Sequence, residues 1–186
     1  MPQPMIIVMV KAPRAGKVKT RLVPPLSESD AASLAACFAQ DTVLNAQHVV
    51  HDVLVAYTPS GGRDALAPIL PSDLRWFEQD GDNLGERLDS VAKHVFSLGF
   101  SPFVILGADS PTLPTGFIQE ALNVLASGEA DISLGPSDDG DIILSDCIVR
   151  SQVSFITSTG APYRHTNKPW RMPQTETSPP HAPMLV

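Results

Sequence analysis

The sequence predicts a three-layer α/β/α domain on a mostly parallel, doubly wound sheet, and three observations carry that prediction. Met5-Ile-Ile-Val-Met-Val10 and Phe103-Val-Ile-Leu-Gly107 are short, continuously apolar runs, the pattern of strands buried on both faces. Stretches with helical spacing alternate with such runs, which implies parallel strands joined by crossover helices. The helical stretches also carry start and stop signals. Asn83 with Glu86 reads as a capping box, and Gly99 and Gly128 stand where helices end.

Taken in order, the first strand covers residues 5–10. A loop bearing Pro and Gly follows, then an Ala-rich helix over about 28–47. Residues 49–57 read as the second strand, closed by Pro59-Ser60-Gly61-Gly62, and 74–78 as a short third. The helix after Asn83 places Leu84, Leu88, Val91 and Val95 on one face. Residues 103–107 are the next strand. Residues 114–127 form a helix with Ile118, Leu122 and Leu125 inward, and 131–134 a last strand. Ligands of such sheets gather at the carboxyl ends of the strands, which nominates residues 11–22, 79–87, 107–112 and 136–140.

Bulk properties narrow the class. The 186 residues suffice for one domain with a substantial core. A hydrophobic fraction of 43% and a mean hydropathy of +0.05 are ordinary for a soluble globular protein. A net charge of −7 argues against a broad nucleic-acid-binding surface. Yet Lys11, Arg14, Lys17, Lys19 and Arg21 crowd five of the 13 basic residues into one loop. Cys37 and Cys147 have neither metal-ligand nor disulfide spacing, and Cys37, in an Ala-rich helix, is expected to be buried. No segment reaches transmembrane length, so a cytoplasmic protein is expected. Residues 141–186 carry six prolines and, after Ile156, almost no apolar periodicity. The domain is therefore expected to span residues 1–140, with 141–186 largely irregular or disordered.

Four segments could carry chemistry. In Lys11-Ala-Pro-Arg-Ala-Gly-Lys-Val-Lys-Thr-Arg-Leu22, Gly16 lets backbone N–H groups approach a phosphate, and the cations neutralise it. If this chain is extended, Lys19 and Arg21 face the same side. A Walker P-loop is excluded: Val18 follows Gly16-Lys17 where Ser or Thr is needed, and Lys11 replaces the first Gly. In Gly107-Ala-Asp-Ser-Pro-Thr112, Asp109 lies just past a buried strand, where a carboxylate can hold a divalent cation. Asp80-Gly-Asp82 could also bind a metal, but a loop entering a capped helix explains it equally well. Arg87 either pairs with an acidic residue or faces an anion. Asp138 and Asp139 either complete the metal site or form a surface turn. No Ser/His/Asp or Cys/His arrangement, and no catalytic base, is visible.

Together these segments resemble one bacterial family of GT-A-like transferases, of the radical-SAM- or selenium-associated type. These are distantly similar to the guanylyltransferases of molybdenum cofactor and phospholactate. The matching residues are Lys11-Ala-Pro13, Gly16, Lys19-Thr-Arg-Leu22, Gln79, Gly81, Leu84-Gly-Glu-Arg87, Gly107-Ala-Asp-Ser-Pro-Thr-Leu113, Gly135-Pro136 and Asp139-Gly140. The resemblance spans about residues 5–140. It implies a nucleotide-diphospho-sugar transferase fold. It also implies nucleotide or phosphate contacts from Lys11, Pro13, Gly16, Lys19, Thr20, Arg21, Gly85 and Arg87. Mg²⁺ or Mn²⁺ would sit at Asp109, with Asp139. The expected partners are a nucleotide or nucleotide sugar and a small-molecule acceptor.

After Asp139-Gly140 the sequence departs. The family continues with a second Gly, aromatic residues, an apolar strand and a Trp-Ser-Thr segment, whereas Asp141-Ile-Ile-Leu-Ser-Asp-Cys-Ile-Val-Arg150 stands here. Back-translated and read one base out of phase, residues 141–162 admit codons that restore both the aromatic start and the Trp-Ser-Thr block. A single-base frameshift near the codon for Asp141 is the expectation. It predicts loss of the strand after the Asp139-Gly140 loop, an exposed sheet edge and low stability. The function expected is glycosyl or nucleotidyl transfer to a small acceptor, and the alternative is a catalytically inactive nucleotide-binding remnant.

Overall fold

The computed structural model describes residues 3–129, 132–134 and 147–149. Four strands form its parallel centre: β1 (Met5–Lys11), β2 (Val53–Thr58), β3 (Arg75–Glu78) and β4 (Phe103–Gly107). Two more, β5 (Ile132–Leu134) and β6 (Cys147–Val149), complete a sheet of order β3-β2-β1-β4-β6-β5. Ile7 of β1 pairs with Leu54 of β2 on one side and Ile105 of β4 on the other.

Strand alternation sorts the core into two layers. Ile6, Val8, Val10, Val55, Val104 and Leu106 face helices α1 (Glu28–Val49) and α4 (Thr115–Ser127), meeting Ala39, Val43, Ala46, Ile118, Leu122 and Leu125. Met5, Ile7, Leu54, Phe103 and Ile105 face the other way, onto Leu88, Val91, Ala92 and Val95 of α3 (Leu84–Ser97). Both faces of β1 and β4 are thus covered, which is why these strands read as unbroken apolar runs. The three-layer α/β/α fold is the predicted one.

The helix boundaries follow their caps. The Ser27 side chain accepts from the Asp30 N–H at 3.1 Å, and Glu28 and Asp30 lie favourably in the positive first turn of α1. At α3, Asn83 Oδ1 accepts from the Glu86 N–H at 3.0 Å. Glu86 returns the bond one residue earlier than a standard capping box, to the N–H of Asp82 at 2.7 Å. Gly128, at φ 82°, ends α4 with its N–H on the Leu125 carbonyl. Asn83→Ala is expected to lower stability by about 1 kcal/mol, and thermal melts of the two proteins check it.

Several sequence expectations need correction. Cys37 is exposed, not buried. The buried stripe of α1 passes through Ala32, Ala39, Val43 and Ala46, and Cys37 lies about 200° around the helix from Ala39. Leu84 is exposed because α3 begins there, and a first-turn side chain leans back beyond the helix end. Residues 49–50 finish α1, the Val50 N–H reaching the Ala46 carbonyl, so the second strand starts only at Val53. A one-turn helix, α2 (Arg63–Leu66), buries Leu66 and was too short to show periodicity. The sheet also does not stop at β5. Cys147–Val149 pair antiparallel with both β4 and β5, so a strand does follow the Asp139-Gly140 loop. Three β-prone residues suffice for this, because both neighbours offer free ladder positions. Among the described residues, no helix is long and apolar enough to cross a membrane.

Candidate nucleotide and metal site

The loops leaving β1, β2, β3 and β4 emerge at one edge of the sheet, because these four strands run parallel. The loop after β1 is tied down at both ends. Ala12 donates its N–H to the Thr58 carbonyl at 2.8 Å, and Ala12 and Val18 are buried. Arg14 Nη2 donates to the Gly61 carbonyl at 3.2 Å. A Cβ on Gly62 would lie 2.8 Å from the Pro59 oxygen and 3.0 Å from the Ala12 Cβ, so this crossing of two loops requires glycine. Gly16 turns the chain at φ 71°, with the Glu28 carboxylate against it.

Lys19 is the focus. It is the single non-glycine residue with positive φ among the described residues, at φ 48°, ψ 33°. For a residue with a Cβ this costs about 1–2 kcal/mol. The left-handed turn leads into a 3₁₀ turn, Thr20–Leu22, with the Leu22 N–H on the Lys19 carbonyl. It directs the ammonium 2.8 Å from Asp109 Oδ1 and 4.6 Å from the centre of the Phe38 ring. The extended-chain expectation for Lys19 and Arg21 is therefore wrong. The backbone is coiled here, so alternation does not apply, and Arg21 is exposed while Lys19 is drawn inward.

Asp109 is presented by the end of β4. The Ala108 N–H still bonds the Met9 carbonyl, extending the β1–β4 ladder by one residue, and Asp109 is the first beyond it. Asn45 of α1 donates Nδ2 to the Pro111 carbonyl at 2.9 Å and pins the following turn. Asn45 escaped the sequence reading; its signal was a polar residue beside the buried Thr42, Val43 and Ala46 of an Ala-rich helix.

The loop after β3 is held by its own backbone. Gln79 donates its N–H to the Tyr57 carbonyl and Nε2 to that of Ala56. Gly81 sits at φ 130°, and Arg87 Nε donates to its carbonyl at 3.0 Å. Arg87 thus bonds backbone through Nε, with its side chain half-buried. Gly85 is buried in the first turn of α3. Asp82 serves the α3 cap, as a loop entering a capped helix does. Lys11, Lys17 and Thr20 are exposed, and Pro13 is half-buried. Asp138 and Asp139 lie outside the described residues.

Beside these loops, Tyr57 donates its hydroxyl to Glu78 Oε2 at 3.3 Å and packs edge-on to Trp76, over which Arg63 stands. Burial first, then the Glu78 charge, pushes the Tyr57 phenol above its ordinary value of 10.0. The folded state therefore holds that proton more tightly than the unfolded chain. This contribution is present below pH 10 and fades as pH rises through the raised value. Tyr57→Phe should flatten the alkaline arm of a stability-against-pH curve, and an unchanged arm would refute the assignment.

Among the described residues, no three His, Cys, Asp or Glu side chains converge as a ready-made metal cage. A single open carboxylate suits Mg²⁺ or Mn²⁺ differently, as one protein ligand to a cation that takes its others from water and substrate phosphates.

Over residues 42–144 the chain matches a family of bacterial proteins described as uncharacterised and conserved in bacteria, DUF2064. A solved structure from Desulfovibrio desulfuricans, named as a candidate nucleotide-diphospho-sugar transferase, is 30% identical with a TM-score of 0.69. The match covers 81% of this chain and 64% of that one. A cytidylyltransferase from Leptospira borgpetersenii is 13% identical, with a TM-score of 0.53, covering 82% of this chain and 61% of that one. A 4-diphosphocytidyl-2C-methyl-D-erythritol synthase from Anaerococcus prevotii is 9% identical, also with a TM-score of 0.53, covering 80% and 70%. At such identities the last two show a shared fold alone. The chain spans less than two thirds of the length of the first two. No protein of curated function matches it.

Proposed function

The chain belongs to the bacterial DUF2064 family, and we propose that it is a metal-dependent transferase of the radical-SAM- or selenium-associated type, acting in the cytoplasm. It would move a glycosyl or nucleotidyl group from a nucleotide sugar or nucleoside triphosphate to a small acceptor. One observation carries this reading. The loops after β1 and β4, adjacent central strands, bring a cation and a carboxylate, Lys19 and Asp109, within 2.8 Å of each other. Metal-assisted transfer from a polyphosphate donor uses both, a side-chain cation for the phosphates and a carboxylate for the metal.

In this reading Lys19 binds donor phosphates and offsets the negative charge that builds on them as the bond breaks. Lys11, Lys17 and Arg21 add a positive field at the mouth of the loop. The Gly16 turn and the Thr20 hydroxyl supply close N–H and O–H contacts, with Pro13 shaping the loop. Gly85 and Arg87 add nucleotide or phosphate contacts from the loop after β3, where Arg87 also holds the Gly81 carbonyl. Asp109, with Asp139, would hold Mg²⁺ or Mn²⁺, which when bound acts as Lewis acid and template.

Calorimetric titration with nucleotides and nucleotide sugars, with and without Mn²⁺, tests the proposal. Lys19→Ala with Arg21→Ala should weaken nucleotide binding about 10- to 100-fold, the loss of charge-assisted hydrogen bonds. Unaltered affinity would sink it. The family match ends at residue 144 of 186, which favours a second reading: an altered acceptor half and a binding remnant without turnover. Nucleotide binding with no transfer to any acceptor would support that reading. We further propose that a single-base frameshift near the codon for Asp141 altered the acceptor half. Resequencing that stretch decides it, and unrelated codons for Asp141-Ile-Ile would end the idea.

A further inference from the structure

The ion pair between Lys19 and Asp109 is lopsided. The Lys19 side chain is 17% exposed and that of Asp109 is 80% exposed. A pair with one partner so open to water contributes little to stability. Holding the fold together therefore does not account for the left-handed backbone that Lys19 maintains. Strain kept at a point of contact between two functional groups is better explained by what those groups do with ligands.

We propose that this pair makes the site selective for a polyphosphate that already carries its divalent cation. The inference rests on the nucleotide–metal reading of the site and adds a rule for how the two ligands enter. With neither present, Asp109 and Lys19 neutralise each other. A metal-free polyphosphate must take Lys19 away from Asp109 and leaves a bare carboxylate beside its own negative charge. A cation alone must take Asp109 away from Lys19 and leaves an uncompensated ammonium. When both arrive together, Lys19 turns to the phosphates and Asp109 to the cation, and no charge is stranded. Each ligand therefore raises the affinity for the other by the same factor.

Phe38 gives this exchange a fixed pivot. Its ring lies 4.6 Å from the Lys19 ammonium, a cation–π contact that holds the charge near Asp109 as it changes partner. Of the neighbouring cations, Arg14 is engaged by the Gly61 carbonyl, and Lys11, Lys17 and Arg21 are exposed and screened by solvent.

Calorimetry on the full chain with inorganic tripolyphosphate, which has no base or sugar to complicate the signal, tests this. The wild-type protein should bind it about tenfold more tightly with Mn²⁺ than without. Asp109→Asn should bind metal-free tripolyphosphate about three- to tenfold more tightly than wild type. Loss of a repelling carboxylate alone would give a gain of the same size with or without Lys19, so the Lys19→Met background separates the two causes. The gain should be markedly smaller between Lys19→Met and the Lys19→Met, Asp109→Asn double variant, where no ammonium remains to be released. Met keeps the stem against Phe38 and Asp109 is exposed, so wild-type-like melting curves verify the fold of each variant. Unchanged metal-free affinity in Asp109→Asn overturns the proposal, as does a gain of equal size beside Lys19→Met. In either case wild-type binding of the Mn²⁺ complex leaves the functional reading standing. A wild-type protein that binds tripolyphosphate neither with nor without Mn²⁺ overturns both.

Discussion

Phe103→Ala is expected to lower the stability of this protein by about 3–5 kcal/mol, the loss typical of a buried aromatic truncated to a methyl group. Phe103 is fully buried in β4, between the sheet and α3, with the Phe96 ring edge-on at 4.9 Å. Its pairing partners on either side are Met5 and Val149, and the backbone of neither can slide inward to fill the space. The cavity term therefore adds to the lost transfer energy. Thermal denaturation should show a fall in Tm of roughly 6–20 °C. A fall of only a degree or two would mean that α3 collapses onto the sheet and that this layer of the core is loosely packed.

Gly81→Ala is the second large expectation, at about 2–4 kcal/mol, because strained backbone and steric overlap add. At φ 130° an L-residue is disfavoured whatever its surroundings. Here the new methyl group would also lie 2.6 Å from the Glu86 Cβ and 3.0 Å from the Arg87 nitrogen. Neither can retreat easily, since both belong to the first turn of α3. The loop must then move, breaking the bond from Arg87 Nε to the Gly81 carbonyl and the bond from the Asp82 N–H to Glu86. Asn83→Ala serves as the comparison, since it removes one cap bond and leaves the backbone free to stay. Equal melting temperatures for the two variants would show that the Gly81 conformation carries no special constraint.

Much of the candidate site was legible in the sequence, for reasons tied to particular residues. Asp109 could be located because a run of five strand residues, buried except at its end, leads directly to it. In a parallel sheet the residue just past such a run stands at the ligand-binding edge. The basic loop could be located because it follows β1 in the same way. What could not be read was the conformation of that loop. Lys19 and Arg21 look equivalent on paper, yet a left-handed residue and a 3₁₀ turn separate them in space. Nothing in Val18-Lys-Thr-Arg21 announces φ 48° at a lysine, since that conformation is imposed by tertiary contacts.

Exposure was misjudged where amphipathicity is weak. Helix α1 is mostly alanine, so its buried stripe is faint in the sequence and Cys37 was placed on the wrong side of it. In α3 the apolar stripe is strong and only its first residue, Leu84, was misplaced. The sheet beyond β5 was underestimated for a different reason. Departure from a family pattern does not entail loss of the strand itself. A strand needs only backbone ladders and a few β-prone residues, and Cys147-Ile-Val149 meets both conditions between β4 and β5.

The sequence by itself determined the class of fold, the order of its central elements and three segments, 11–22, 79–87 and 107–112, that gather at one edge of the sheet. It could do so because burial on two faces, helix capping and strand-to-loop transitions are local signals. Only the tertiary structure decided which charges meet. That Lys19, and not its neighbours, reaches Asp109 depends on Phe38 beside its ammonium and on the register of β1 against β4. Asn45 holding the Pro111 turn from α1 adds a further constraint. These contacts join residues far apart in the chain, and no local pattern encodes them.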